Sequence, residues 1–135
     1  MSEEQFNVDP RQLHSFEEFA AFLRDPKYAD HVLSPSRWAA AMGIPVYQLA
    51  AQSGVHRNTL SLSPAAPGVQ RYLNEALRVL EAAYELGGDM QSALRWYRAE
   101  PLATFRLLTA ETLVIRGRSK DVLDYMESLG AGAIG

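Results

Sequence analysis

Cysteine is missing from this chain of 135 residues, and long apolar runs are missing as well. Without cysteine there is no disulfide framework, no thiol nucleophile and no cysteine metal site, which fits a reducing compartment. No stretch approaches the ~20 apolar residues of a membrane span, and the first residues, MSEEQ, are acidic and lack the apolar run of a signal peptide. We therefore expect a cytoplasmic protein with no membrane partner.

The residue sets that support catalysis are also missing. His14, His31 and His56 are dispersed without helical ligand spacing, no Ser/His/Asp set is evident, and no glycine-rich loop is suited to cradle phosphate. Asp121 and Asp124 share a helix face, but carboxylates at that spacing are far more often surface residues than a catalytic pair. We expect no enzyme, no catalytic residue, no metal site and no cofactor.

Acidic residues are unevenly distributed. The whole chain has a net charge of −3, from 13 basic and 16 acidic residues, which argues against a general polyanion binder. Residues 31–63 contain no acid and two bases, Arg37 and Arg57. Two cations neutralise few phosphates, so any binding to DNA would require a homodimer or a larger assembly.

Strand patterns longer than four residues do not occur, and nearly every segment carries helix signals, so the predicted fold class is all-α. Ser15, Ser34, Asp89, Thr109 and Ser119 are the predicted helix caps. The longest predicted helix runs from Val69 to Leu86, and the last one ends at Leu129, before a small, apolar and flexible tail. The predicted units are an N-terminal extension (1–30), a helix-turn-helix (31–68), and a connecting helix with a C-terminal domain (69–135). The acidic extension is either a dimerisation arm or a solvated segment.

The segment 44–62 has the pattern of a helix-turn-helix, and its sequence is IPVYQLAAQSGVHRNTLSL. Gly54 supplies the positive φ of the turn, small Ala50 permits a close helix crossing, and Val55 and Leu60 form the apolar side of the second helix. Polar residues on such a helix can reach base edges or phosphates. The alternative is that the two helices serve only as a packing module. The candidate DNA-binding residues are Gln48, His56, Arg57, Asn58, Thr59 and Ser61.

The C-terminal half contains ALRWYRAEPL at 93–102, followed by Phe105, Thr109-Ala110, Leu113-Val114 and Gly117-Arg118, then Val122, Tyr125 and Leu129 before Gly130. With the helix-turn-helix before it, this pattern resembles the Xre/MbcA/ParS-type antitoxins of type II toxin-antitoxin systems. The resemblance covers residues 31–135. It implies a dimeric helical protein that neutralises a cognate toxin, often a RES-type enzyme that degrades NAD or a related ADP-ribosylating toxin, and that represses its own operon through operator DNA.

In that family the C-terminal helices contact the toxin, and in some members the tail covers the entrance to the toxin's active site. For Trp96 the alternative is an ordinary core aromatic, for the bases it is solvated ion pairs, and for the tail it is a frayed end. Among the bases we favour Arg116 and Arg118 because they flank a glycine turn. The residues that the resemblance implies for toxin binding are Trp96, Arg98, Arg116, Gly117, Arg118, Lys120, Gly130, Ala131, Gly132, Ala133, Ile134 and Gly135.

The chain departs from the family pattern at two places. Arg106-Leu107-Leu108 stand where many members have a glycine-rich turn, which suggests a helical segment before Thr109. His56 stands where Xre-like repressors commonly have a serine cap, and Leu62 follows Ser61 where they have a base, so positioning on phosphates by Arg57 can outweigh direct base readout.

Two hypotheses about function follow from the sequence. In the first, the chain is an antitoxin that acts within a higher toxin-antitoxin complex. In the second, it is a stand-alone helix-turn-helix regulator whose C-terminal domain dimerises or senses another partner.

Overall fold

Helices supply almost all of the regular structure. The computed structural model describes residues 8–28 and 31–132. Short 3₁₀ turns lie at Pro10–Gln12 and Ala103–Phe105, and no strand occurs among the residues described, which contain only two isolated bridges, Arg24 with Leu33 and Leu102 with Leu108. The all-α prediction is therefore confirmed. The helices are α1 Phe16–Leu23, α2 Pro35–Met42, α3 Val46–Ser53, α4 Arg57–Leu62, α5 Pro67–Gly87, α6 Met90–Ala99, α7 Ala110–Ile115 and α8 Ser119–Gly132.

Four of the five predicted caps stand where the sequence put them. The Ser15 hydroxyl accepts a hydrogen bond from the Glu18 amide at 3.1 Å, and Ser34 accepts one from the Arg37 amide at 3.2 Å. Asp89 and Thr109 do the same for the starts of α6 and α7. Each of these bonds satisfies one amide that has no partner within its own helix, which is why short polar side chains mark the helix starts.

The limits of α5 and α8 differ from the prediction. Ser119 is the first residue of α8 instead of its cap, and its hydroxyl donates to Glu75 Oε1 at 3.1 Å. The same helix continues to Gly132, so Gly130 and Gly132 belong to it and not to a flexible tail. Pro67 begins α5, because the first helical position does not need the amide hydrogen that proline lacks.

The segment before Thr109 is also different from the expected helix. After the 3₁₀ turn, Arg106 and Leu107 both adopt positive φ, 56° and 69°. That conformation ends the turn at once, and the chain then enters α7 through Leu108 and Thr109. The segment is therefore a tight loop.

The core is built around α5. Its buried side chains recur at helical spacing, and Val69, Leu73, Ala76 and Leu80 have no exposed surface. This helix contacts α1, α2 and α3 from the N-terminal half and α6, α7 and α8 from the C-terminal half. The buried cluster is continuous from Leu13 to Met126. The division into three units stays a prediction, although its second boundary falls in the first turn of α5.

Polar contacts tie distant segments to this core. The Gln70 amide group accepts from the Leu33 amide at 2.9 Å and donates to the carbonyls of Leu33 and Pro64, both at 2.8 Å. His14 Nδ1 lies 2.7 Å from Asp89 Oδ1, and this hydrogen bond holds the pKa of Asp89 below its usual range. His14 and Leu33, which stand on either side of α1, are thus held against the start of α6 and against α5.

None of the helices in the described part of the chain is long and apolar enough to cross a membrane.

The turn between α3 and α4 depends on Gly54, whose φ is +73°. Because an L side chain in this conformation costs roughly 1–2 kcal/mol, we expect Gly54→Ala to lower the free energy of unfolding by about 1 kcal/mol in urea denaturation. The matched control is Gly87→Ala, which is helical; neither glycine has an atom within 4 Å of an added Cβ. This control should be neutral or stabilise by about 0.5 kcal/mol, and equal losses in both variants would contradict the explanation.

Candidate nucleic-acid and partner interfaces

The first candidate site is the pair of helices α3 and α4. At the end of α3 the amides of Gly54 and Val55 donate back to the carbonyls of Ala51 and Ala50, at 3.3 and 3.2 Å, which reverses the chain tightly. Leu60 of α4, only 3% exposed, packs in the core with Leu49 and Ala50 of α3. The apolar side of α4 is therefore fixed inward, and its polar side faces solvent.

His56 caps α4 with its own side chain. Nδ1 of the imidazole accepts a hydrogen bond from the Asn58 amide at 3.1 Å, so this nitrogen must carry no proton. His56 thus fills the N-cap position of α4, where a short polar side chain such as serine is more common. One ring nitrogen is occupied within the helix, and only Nε2 remains for an external contact.

The other DNA-binding candidates differ in their exposure. Arg57, Asn58 and Ser61 are exposed on α4, whereas Thr59 and Gln48 are half-buried. A groove of about 340 Å³ lies between the helices and is lined by Val46, Tyr47, Arg57, Asn58 and Ser61. The structure therefore brings the three exposed candidates together at one groove.

Two residues of this face were missed by sequence reasoning. Tyr47 is 65% exposed and lines the groove, and Leu62 is 80% exposed at the end of α4. The position of Tyr47, one residue before Gln48 on the first turn of α3, is the signal that was available in the sequence. An aromatic ring at such a place can contact a phosphate or a thymine methyl group.

The charge of this region differs from what the sequence suggested. Arg37 packs α2 against α1: its Nη1 donates to the Phe22 carbonyl at 3.0 Å, and its guanidinium lies 5.4 Å from the centre of the Phe22 ring. Of the two arginines in residues 31–63, only Arg57 is therefore exposed. A second groove, of about 310 Å³, is lined by Ser61 and by Lys27 from the segment after α1, and this lysine was missed because it is distant in sequence.

The second group of candidates lies in the C-terminal half. Trp96 is half-buried against the core and lines an apolar groove of about 250 Å³ with Leu86, Met126 and Leu129. The Trp96 side chain therefore both packs against the core and borders the groove. Both interpretations of this residue, core aromatic and partner contact, are compatible with that position.

Arg98 is engaged inside the molecule. Its Nη1 donates to the Met42 carbonyl at the end of α2, and its Nε lies 3.3 Å from Glu111 Oε2 on α7. Burial raises the pKa of Glu111, and the neighbouring guanidinium opposes that rise. The arginine therefore joins α6 to both α2 and α7.

The remaining bases cluster at the turn between α7 and α8, where Gly117 has a φ of +77°. Arg118 pairs with Asp121 at 2.8 Å, and Lys120 pairs with Asp124 at 2.8 Å, as the solvated-pair alternative proposed. Arg116 is exposed, and no ion pair joins it to another residue in the described ranges.

The predicted tail is only partly within the described structure. Gly130 is half-buried in the last turns of α8, near Leu86, and the helix includes Ala131 and Gly132. Ala133, Ile134 and Gly135 lie outside the described residues. In the part of the chain that is described, no group of three or more His, Asp or Glu side chains could hold a metal ion.

Arg98→Ala tests whether this arginine has a structural task. The variant leaves the Glu111 carboxylate and the Met42 carbonyl without their shared partner, so we expect a loss of about 2 kcal/mol in the free energy of unfolding. The control is Arg95→Ala on the same helix, where the exposed arginine bonds only Ser92 and the change should stay within about 0.5 kcal/mol. If the two variants are equally stable by urea denaturation, Arg98 does not hold these helices together.

Comparison of the chain with family models, with curated proteins and with solved structures finds no match.

Proposed function

We propose that this chain is an antitoxin that binds operator DNA through α3 and α4 and neutralises a cognate toxin through its C-terminal half. The observation that carries the proposal is the polar face of α4, which is exposed, contains no acid and lies on a helix fixed by buried Leu60. In the alternative the chain is a stand-alone regulator of transcription. The toxin fitting the resemblance is of the RES type, and either degrades NAD or transfers ADP-ribose.

The geometry of α4 supports the operator-binding half of the proposal. Its six residues span about 9 Å at 1.5 Å per residue, which is short enough to enter the major groove end-on with its N-terminal residues leading. Arg57 and Asn58 are then the first side chains to meet base edges or phosphates. Because each chain offers few cations there, useful affinity requires two copies or a toxin-antitoxin complex.

The neutralising half rests on the resemblance of residues 93–130 to the toxin-binding domain of these antitoxins. Of the bases that the resemblance implies, Arg116 is exposed without an ion pair to any described residue, whereas Arg98 is engaged with Glu111. Arg116 therefore fits a contact with an external acidic group better than Arg98 does.

The experiment that separates the two functions is co-expression with the product of the adjacent reading frame. An antitoxin restores growth to cells that produce that product and co-purifies with it. Growth inhibition that this chain does not relieve, or an adjacent product that neither inhibits growth nor binds, would favour the stand-alone regulator.

Arg57→Ala should weaken binding to the DNA upstream of the gene by about 10-fold or more in a gel-shift titration, because it removes the one exposed cation of α4. Co-purification with the toxin should be unaffected. Arg78→Ala, at an exposed position of α5, is the matched control and should bind DNA like the unaltered chain. An unchanged shift for Arg57→Ala would mean that α4 does not face DNA.

Removing Gly130 to Gly135 should impair the rescue of toxin-producing cells and leave promoter binding intact. Since α8 extends to Gly132, a shorter deletion of Ala133 to Gly135 separates the last three residues from the end of the helix. Loss of rescue in both deletions assigns neutralisation to the last three residues, and loss in the longer one alone assigns it to the helix end. Full rescue by both would rule out a role for the tail.

A further inference from the structure

The loop between α6 and α7 holds two consecutive residues in a conformation that L-amino acids rarely adopt. Arg106 and Leu107 have φ values of 56° and 69°, and neither has the freedom of glycine there. Backbone bonds close the loop around them: the Leu107 amide donates to the Leu102 carbonyl at 2.9 Å, and the Leu102 amide donates to the Leu108 carbonyl at 3.0 Å. The strain is therefore built into an ordered turn.

The strain does not serve the burial of Leu107. Its side chain is 65% exposed, whereas Leu102, at the base of the loop, is 4% exposed. A buried leucine would recover the conformational cost through the hydrophobic effect, but this one presents most of its apolar surface to water. Strained backbone is frequent at binding and active sites.

The base of the loop is held firmly. Phe105 packs edge-on against Tyr125 of α8, with ring centres 5.5 Å apart, and the Arg118 guanidinium lies 5.4 Å from the centre of the Phe105 ring. Arg118 in turn pairs with Asp121 at 2.8 Å. The loop is thereby fixed to the turn between α7 and α8, and Leu107 is presented from a rigid base.

Arg106 precedes Leu107 in the loop, and Arg116 lies in the turn between α7 and α8 to which the loop is fixed. The side chains of Arg106 and Arg116 are exposed and form no hydrogen bond or ion pair with any other residue in the described ranges. Three acids of α7 and α8 already have partners. These pairs are Glu111 with Arg98, Asp121 with Arg118, and Asp124 with Lys120. The unpaired guanidinium groups therefore favour an acidic surface on a partner.

We propose that Leu107 is the anchor by which this chain binds its toxin, inserting into an apolar pocket whose rim carries carboxylates that meet Arg106 and Arg116. This inference rests on the proposed antitoxin function and adds the contact surface to it. An apolar side chain on a rigid base loses little conformational freedom on binding, and such anchors contribute much of the affinity of an interface.

A second copy of this chain fits the surface less well than a toxin does. In a closed dimer the same patch faces itself, so Arg106 and Arg116 of one copy would oppose the arginines of the other. The loop packed against a different patch of another copy gives a head-to-tail contact, which need not close into a dimer.

The experiment compares Leu107→Gly and Leu107→Asn with the unaltered full-length chain, using calorimetric titration of the adjacent reading frame's product. Glycine and asparagine both tolerate positive φ. We expect thermal unfolding of Leu107→Gly at an equal or higher temperature, and affinity for the product about 30-fold lower in both variants. The matched control is Val8→Asn, which removes a 43% exposed apolar side chain from the segment before α1 and should leave the affinity unchanged.

Each other outcome has a definite meaning. Unchanged affinity in both Leu107 variants, with the unaltered chain binding the product, overturns the inference and leaves the proposed function intact. An unaltered chain that does not bind the product at all overturns the proposed function and the inference with it. If the Leu107 variants instead dissociate a dimer of this chain in sedimentation velocity while still binding the product normally, the loop is a contact between copies and the inference is wrong.

Discussion

Burial of α5 is the constraint on which the rest of the structure depends. The helix places Val69, Leu73, Ala76 and Leu80 out of contact with water and meets helices of both the N-terminal and the C-terminal half. Since these contacts are close-packed, the two halves share one frame. The polar face of α4 and the loop that carries Leu107 therefore hold fixed positions relative to each other. In an antitoxin that binds operator and toxin together, such a frame would couple the geometry of the two contacts.

Polar side chains fix the relative orientation of the helices where apolar contacts alone do not. The Gln70 side chain bonds the amide and the carbonyl of Leu33 and the carbonyl of Pro64. It thereby links the residues before α2 to the segment after α4. Arg98 joins the end of α2 to α7 through Met42 and Glu111. Hydrogen bonds have directional geometry, whereas apolar contacts tolerate sliding. These two residues thus fix how the α2 region sits on the helices of the C-terminal half.

The surfaces proposed for binding differ from the packed helices because they contain exposed apolar side chains and charged side chains without partners in the described part of the chain. Leu62 and Leu107 are apolar and largely exposed, and the side chains of Arg106 and Arg116 have no hydrogen-bond or ion-pair partner among the described residues. Arg37 and Arg98 cannot be distinguished from Arg106 and Arg116 in the sequence, yet both form contacts inside the fold. An arginine's surroundings, more than its presence, decide whether it can meet a partner. The difference between arginines with and without internal partners reduces the list of candidate partner contacts more than composition or motif matching can.

The sequence by itself determined the helix limits that depend only on residues close by in the chain. Ser15, Ser34, Asp89 and Gly54 act within about four positions of where they stand, so caps, turns and the limits of α4 could be predicted. Tertiary structure decided the partners of Arg37 and Arg98, the groove that Lys27 shares with α4, and the end of α8. These features depend on contacts between residues far apart in the chain, and local propensity contains no information about which distant groups will meet.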